Sequence, residues 1–212
     1  MKKIKDEIIK NYNFLSSLGF GIGSEGNISV KDGEDIYITP SGIDIKYLTT
    51  ERISVVDIEG KIKNRVKPSS EIDMHLSVYK RREEFKAIVH CHSDWATILS
   101  CMRKKISTFH YMIAEFGGDD IKCSKYATFG SKKLAEHVLK ASKNRKGCLI
   151  ANHGQICFGE NLEQATHLSQ ALEKLSKQYY FCLISKNYKR LSKKEISDVL
   201  KIFPSYKSKH WT

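Results

Sequence analysis

The sequence predicts an α/β domain in which helices cover a central sheet of antiparallel character. Three observations support this. Segments of helical apolar spacing are interleaved with short apolar strands across the whole chain. Two strand pairs, at 28–38 and 149–158, are separated by short polar turns and read as hairpins, which favours antiparallel pairing. The chain has 212 residues, 41% apolar and 28% charged, enough to build one core and too apolar for a disordered chain.

The elements follow in order. Ile4, Ile8, Tyr12 and Leu15 form one stripe, predicting a surface helix over about 2–18. Charges at Asp6, Glu7 and Lys10 rule out a signal-peptide core there. The glycines of GFGIGSEGN break the pattern. ISV and DIYITP are two strands around a turn at Lys31–Glu34, and Pro40-Ser41-Gly42 ends the second. ISVVDIEGKI predicts a strand, a Gly60 turn and a return strand. A helix over about 71–83 is expected next, with Ser70 as its N-cap and Asp73 completing a capping box. FKAIVHCH is a strand with a polar end, and a helix over 94–101 follows it. CLIANHGQICFG reads as strand, polar turn, strand. Leu168, Leu172, Leu175 and Tyr179 mark a long helix over 162–185, and a last helix is expected near 193–202 before a Lys-rich tail.

Several classes are excluded. The formal charge of +12 attracts anions, but no zinc finger, stacking-rich strand or basic recognition helix accompanies it. Nucleic acid is therefore not an expected partner. No run of eighteen apolar residues exists, so no membrane span is expected. The six cysteines include no Cys-x-x-Cys pair and several sit in apolar runs, which predicts free thiols and a cytoplasmic, reducing setting. The spaced glycines of GFGIGSEG follow a helix rather than a strand, so they are not a dinucleotide fingerprint.

The strongest chemical signal is His90-Cys91-His92. On an extended segment, residues 90 and 92 point to one side, and two imidazoles there can grip one divalent ion. His153, in a polar turn between two apolar strands, is the best third ligand. The plainer reading of His-x-His is two surface histidines. Glu71 lies at a helix start after Ser69 and Ser70, and is the natural acid/base partner; the plainer reading is a favourable contact with the helix dipole. His75, one turn on, reads as a buttress for Glu71 or as packing, with direct metal binding as the lesser alternative. His110 reads as structural, His137 and His167 fall within helices, and His210 lies in the tail. Gly26-Asn27, Ser41-Gly42 and Ser69-Ser70 are three short polar sets at strand or helix ends. Together they can build a phosphate pocket from amides and hydroxyls; turn formation explains each one separately.

GSEGNISV, YITPSGI, KPSSEIDMHLSVY, AIVHCHSDWAT, HYMIAEFGG, IKCSKYATFGSKKLAEHV and LIANHGQICFGENLEQA occur in this order. The series resembles the class II aldolase/adducin-head family over about residues 8–206. The resemblance implies a single domain over 1–212, a three-layer α/β/α sandwich around a mostly antiparallel sheet, and one Zn²⁺ per subunit. It implies His90, His92 and His153 as zinc ligands, and Glu71 as both resting-state ligand and catalytic acid/base. Asn27, Ser41, Gly42, Ser69 and Ser70 would hold a substrate phosphate, and Phe129 would line the aldehyde side. Tyr111 would exchange a proton with the aldehyde-derived oxygen. Tyr206 would lie on a tail, from about residue 203, that closes over the site. A homotetramer is expected, with active sites at subunit interfaces and Tyr111 supplied by the neighbour. The implied reaction is reversible retro-aldol cleavage of L-fuculose 1-phosphate to dihydroxyacetone phosphate and L-lactaldehyde.

Three other readings stand beside it. L-ribulose-5-phosphate 4-epimerases of this family typically carry Asp where this chain has Glu71, and a different, Asp-containing segment where it has HYMIAEFGG. Another sugar-phosphate aldolase of the family, acting on a different 1-phosphoketose, or a sugar-phosphate dehydratase shares the zinc arrangement. A non-catalytic adducin-head-like interaction domain would be expected to lose the metal ligands that this chain retains.

Overall fold

A computed structural model describes residues 2–207, with side chains described through residue 203. Six α-helices are present among the described residues: α1 (Lys2–Ser17), α2 (Ile72–Arg81), α3 (Asp94–Cys101), α4 (Lys132–Ala141), α5 (Leu162–Ser185) and α6 (Lys193–Lys207). The strands are β1 (Asn27–Asp32), β2 (Asp35–Ile38), β3 (Ser54–Val56), β4 (Ala87–Cys91), β5 (Gly147–Ile150) and β6 (Gly154–Gly159). They form one sheet in the order β3-β2-β1-β4-β6-β5. Each strand pairing in it is antiparallel. The expected sheet of mostly antiparallel character, flanked by helices, is therefore present.

Strand alternation sorts side chains to the two faces. Ile88, Ile156 and Phe158 pack with Met74, Val78, Leu134 and Val138 of α2 and α4. Ala87, Val89 and Cys91 pack on the opposite face with Ile8, Tyr12 and Leu15 of α1. Cys157 and Leu149 extend that second face under α3 and α5, where Leu168, Leu172, Leu175 and Tyr179 are all buried. Each such leucine contributes roughly 1.5–3 kcal/mol by leaving water. Two helical layers thus enclose the sheet.

Several local expectations change. The helix after Ser69-Ser70 starts one residue later than expected, with Glu71 rather than Ser70 at the N-cap and no side-chain cap. The cause is tertiary. Backbone bonds from Ser41 N to Lys67 O and from Ser69 N to Thr39 O tie the two loops together. They hold the segment before α2 extended, and the Ser69 hydroxyl accepts from Glu71 N instead. The return strand after Gly60 shrinks to a single bridge, Val56 to Ile62. Tyr111–Phe116 forms a 3₁₀ segment that the apolar spacing did not mark. The last helix runs to Lys207 rather than 202.

The histidine-bearing end of β4 lies between two glycines. A Cβ on Gly26, at φ +74°, would lie 2.6 Å from His90 O. A Cβ on Gly154 would lie 2.5 Å from Cys91 O. Only glycine permits both neighbouring chains to approach the His90–Cys91 backbone this closely. The Tyr12 hydroxyl fixes the Gly26 side by donating to Glu25 O at 2.8 Å.

Candidate metal centre

Antiparallel register brings the site together. β1 places Asn27 opposite His90, and β6 places Gln155 opposite Cys91. The turn from β5 into β6 therefore lies beside the end of β4, and His153 occupies that turn. Asn152 takes the left-handed conformation, φ 54°, that reverses the chain there. His153 N is anchored to Ile150 O at 3.0 Å.

The three imidazoles form a nearly equilateral triangle. Ring centroids are 4.9 Å apart for His90–His92, 4.8 Å for His90–His153 and 4.9 Å for His92–His153. His90 Nε2 and His92 Nε2 are 3.1 Å apart. Glu71 Oε2 lies 3.1 Å from His90 Nε2, and Oε1 lies 3.5 Å from His153 Nε2. Candidate ligand atoms of all four residues lie within 4.8 Å of one another.

These residues fit a divalent metal. A tetrahedral ion bonded at roughly 2.1 Å separates its ligands by about 3.4 Å, close to the short distances seen here. Glu71 Oε1 is buried without a hydrogen-bond partner, an arrangement that costs free energy unless something answers it. His90 Nδ1 lies 2.7 Å from Gln155 O. A carbonyl only accepts, so Nδ1 carries the proton and the Nε2 lone pair faces the cluster.

Electrostatics point the same way. Burial, with His90 nearby, pushes His92 down to about 4 and His153 down to about 3. Both rings are then neutral, as metal ligation requires. Burial raises the Glu71 carboxyl, but His90, His153 and the Asn27 amide outweigh it and hold the group well below the carboxylate range. Burial lowers His90, and Glu71 overcomes this to push it up. The proton that Glu71 favours on His90 Nε2 occupies the position a cation would take.

The pH response of the metal-free protein follows. Burial also pushes His75 down to about 3. Unfolded histidines titrate near 6.5. Between about pH 6.5 and 4 the unfolded chain therefore takes up protons that His75, His92 and His153 refuse when folded. Stability falls wherever the unfolded state binds more protons as pH drops. Among the described residues only His90 opposes this, and Glu71 adds to the loss once pH falls below its unfolded value. The urea midpoint of the EDTA-treated protein is expected to be lower at pH 5 than at pH 7.5. A midpoint that rises on acidification would contradict the neutral burial of these rings.

A cavity of about 580 Å³ opens above the cluster. Its wall contains Asn27, Ser41, Gly42, Ser69 and Ser70, together with Glu71, His92, His153 and Phe129. The polar sets that are scattered along the sequence thus share one cavity with three of the metal-cluster residues. His90 lies beneath and is fully buried. Glu25, Tyr126 and Asn152 also line the cavity and were not singled out from sequence. Asn152, beside His153 in the polar turn, was the only one with a legible signal. Tyr111 does not line this cavity. It is exposed on the 3₁₀ segment, stacked on His110 at 4.9 Å. The Tyr206 side chain lies outside the described residues. Cys91, Cys148 and Cys157 are free and buried, and burial raises each thiol, which leaves them protonated and inert.

A sheet enclosed by helices, with three imidazoles and a carboxylate at the floor of a polar cavity, defines a metal-dependent α/β protein. Residues 6–180 match the family described as Class II Aldolase and Adducin N-terminal domain. The chain belongs to this family, and with its metal-binding cluster it is a metal-dependent lyase. It is 39% identical over 205 residues to the L-fuculose phosphate aldolase of Escherichia coli (strain K12), covering 96% of this chain and 95% of that one. It is 39% identical over 192 residues to the 5-methylthioribulose-1-phosphate/5-deoxyribulose-1-phosphate aldolase of Rhodospirillum rubrum, covering 91% and 87%. A solved structure of an L-fuculose 1-phosphate aldolase superposes with a TM-score of 0.92 at 35% identity, covering 96% of this chain and 97% of that one. No described helix is long and apolar enough to cross a membrane.

Proposed function

We propose that the protein catalyses the reversible retro-aldol cleavage of a ketose 1-phosphate, with L-fuculose 1-phosphate as substrate. The products are dihydroxyacetone phosphate and L-lactaldehyde. One observation carries the reading: the Glu71 carboxylate lies between His90 and His153 at the floor of a cavity whose wall bears the Ser41-Gly42 and Ser69-Ser70 loops.

Asn27, Ser41, Gly42, Ser69 and Ser70 bind and orient the phosphate through amides and hydroxyls, so that C3 faces Glu71. His90, His92 and His153, with Glu71 in the resting state, hold one Zn²⁺ per subunit. Bound there, zinc supplies Lewis-acid stabilisation of the negative charge that develops on the ketose oxygens. In cleavage, Tyr111 of a neighbouring copy, as the phenolate, takes the C4 hydroxyl proton, the electrons of the breaking C3–C4 bond pass to the ketose fragment, and Glu71, having taken a proton from solvent, delivers it to C3, while Tyr111 returns its proton to solvent. In synthesis the two residues exchange roles. Phe129 lines the aldehyde side and Tyr206 closes the tail over it. The exposure of Tyr111 outside its own cavity suits a homotetramer with sites at subunit interfaces.

A second substrate reading has its own support. The Rhodospirillum rubrum relative is named for 5-methylthioribulose 1-phosphate and 5-deoxyribulose 1-phosphate. Cleavage of these at C3–C4 also yields dihydroxyacetone phosphate, so only the aldehyde pocket would differ. The zinc-loaded protein should be incubated with L-fuculose 1-phosphate, 5-deoxyribulose 1-phosphate and L-ribulose 5-phosphate, with cleavage and C4 epimerisation measured separately. Dihydroxyacetone phosphate from L-fuculose 1-phosphate is the expected product. Epimerisation of L-ribulose 5-phosphate without cleavage of either 1-phosphate would overturn the reading.

A further inference from the structure

A fully buried histidine outside the metal cluster lies within a hydrogen-bonded chain that ends on Glu71. His75 is 0% exposed, one helical turn after Glu71 on α2. Its Nε2 lies 2.5 Å from Asn27 Oδ1, and its Nδ1 lies 2.7 Å from Ser29 Oγ. Asn27 Nδ2 lies 3.1 Å from Glu71 Oε2. Ser29 Oγ lies 2.8 Å from the Tyr79 hydroxyl.

The direction of every bond in this chain follows from its ends. A carboxylate only accepts, so Asn27 must present its NH₂ to Glu71. The Asn27 carbonyl oxygen then faces His75 and requires a donor, so His75 Nε2 carries a proton. Burial keeps the ring neutral, which leaves Nδ1 bare. Ser29 therefore donates to Nδ1, and the Tyr79 hydroxyl donates to Ser29, whose Oγ lies at 2.8 Å and backbone O at 3.2 Å. Reversing any one bond would place two acceptors, or two donors, face to face where water is excluded. Such a mismatch costs on the order of 1–3 kcal/mol.

We infer that His75 is a positioning residue for the acid/base step. Its Nε2–H locks the Asn27 amide so that the NH₂, and not the carbonyl, meets the Glu71 carboxylate. Without His75, the Asn27 amide can rotate and point its oxygen at Glu71. The carboxylate then loses the donor that aims it, while the Ser41-Gly42 and Ser69-Ser70 loops keep their own backbone ties. Buried hydrogen-bonded chains of this kind fix orientation because a partly satisfied alternative is costly.

The kinetic arm of the test rests on the aldol reading above; the spectroscopic arm does not. In ¹⁵N-labelled, zinc-loaded protein, long-range ¹H–¹⁵N correlation should show His75 as the neutral tautomer with Nε2 protonated and Nδ1 bare, assigned by its loss in His75→Gln. The opposite tautomer or a charged ring would overturn the inference. In the second arm, solvent exchange of the C–H proton of dihydroxyacetone phosphate is followed in D₂O. His75→Phe, which keeps the ring shape and removes both bonds, should lower kcat at least tenfold, with zinc content unchanged. His75→Gln places a donor towards Asn27 and should recover kcat to within threefold of the wild type. Wild-type kcat in His75→Phe, or no recovery in a folded His75→Gln, would overturn the inference. If His75→Phe fails to fold, the tautomer and His75→Gln still decide. Wild-type protein that neither exchanges nor cleaves any 1-phosphate would sink the aldol reading, and the tautomer alone would then decide whether the Asn27 lock exists.

Discussion

Glu71→Gln is expected to leave the fold and the bound metal in place and to lower proton exchange on dihydroxyacetone phosphate by about 10²–10⁴-fold, the usual contribution of a positioned acid/base. The substitution is nearly isosteric in a position that is 6% exposed, so packing hardly changes. The Gln carbonyl can still accept from Asn27 Nδ2 in place of Glu71 Oε2. Three imidazoles remain to hold the ion. What disappears is a group able to take a proton and return it. Exchange in D₂O followed by NMR, with elemental analysis of the same sample, separates the two effects. Near-normal exchange in a metal-replete Glu71→Gln protein would refute Glu71 as the base. Loss of both metal and exchange would instead identify Glu71 as chiefly a ligand.

His92→Ala should cost metal affinity by more than ~100-fold, because the loss of a direct ligand exceeds the 10–100-fold typical for the groups that merely support one. This histidine is the cleanest to remove. Its side chain is 25% exposed, whereas that of His90 is 0% exposed and bonded to the β6 backbone. Truncating His92 therefore leaves little unfilled space. The EDTA-treated wild type and His92→Ala should melt within a few degrees of each other, while only the wild type gains stability from added zinc by mass action. Full metal occupancy in His92→Ala after dialysis would contradict the three-imidazole centre.

Much of the architecture was legible because its elements carry their own periodicity. The stripe through Ile8, Tyr12 and Leu15 and the spacing of Leu168, Leu172, Leu175 and Tyr179 each describe one buried helix face, and the structure buries both. The hairpin pairs predicted antiparallel character, and β1–β2 and β5–β6 show it. Where prediction missed, a distant contact had outweighed local preference. Ser70 has the chemistry of an N-cap, but pairing between the Thr39–Ser41 and Lys67–Ser69 backbones holds the preceding segment extended, and the helix opens at Glu71. Tyr126 and Glu25 reach the cavity from loops whose composition resembles that of any other surface loop.

The candidate site divides along the same line. By itself the sequence singled out the residues whose side chains are able to ligate a metal or move a proton: His90 and His92 at a strand end, His153 in a polar turn, and Glu71 at a helix start. It also determined that His90 and His92 share one side, because that follows from the two-residue repeat of a strand. Convergence was decided only by the tertiary structure. His153 meets His92 because β6 pairs with β4 in the register Cys91↔Gln155, and Glu71 meets His90 because Asn27 pairs opposite it on β1. Register is a relation between segments far apart in the chain. Here it is set by glycines whose missing side chains let three backbones close around one histidine pair, and periodicity within a segment carries no record of that approach. The same holds for His75: its position in the sequence suggested a buttress, and the pairing of β1 beside β4 supplied the Asn27 amide for it to hold.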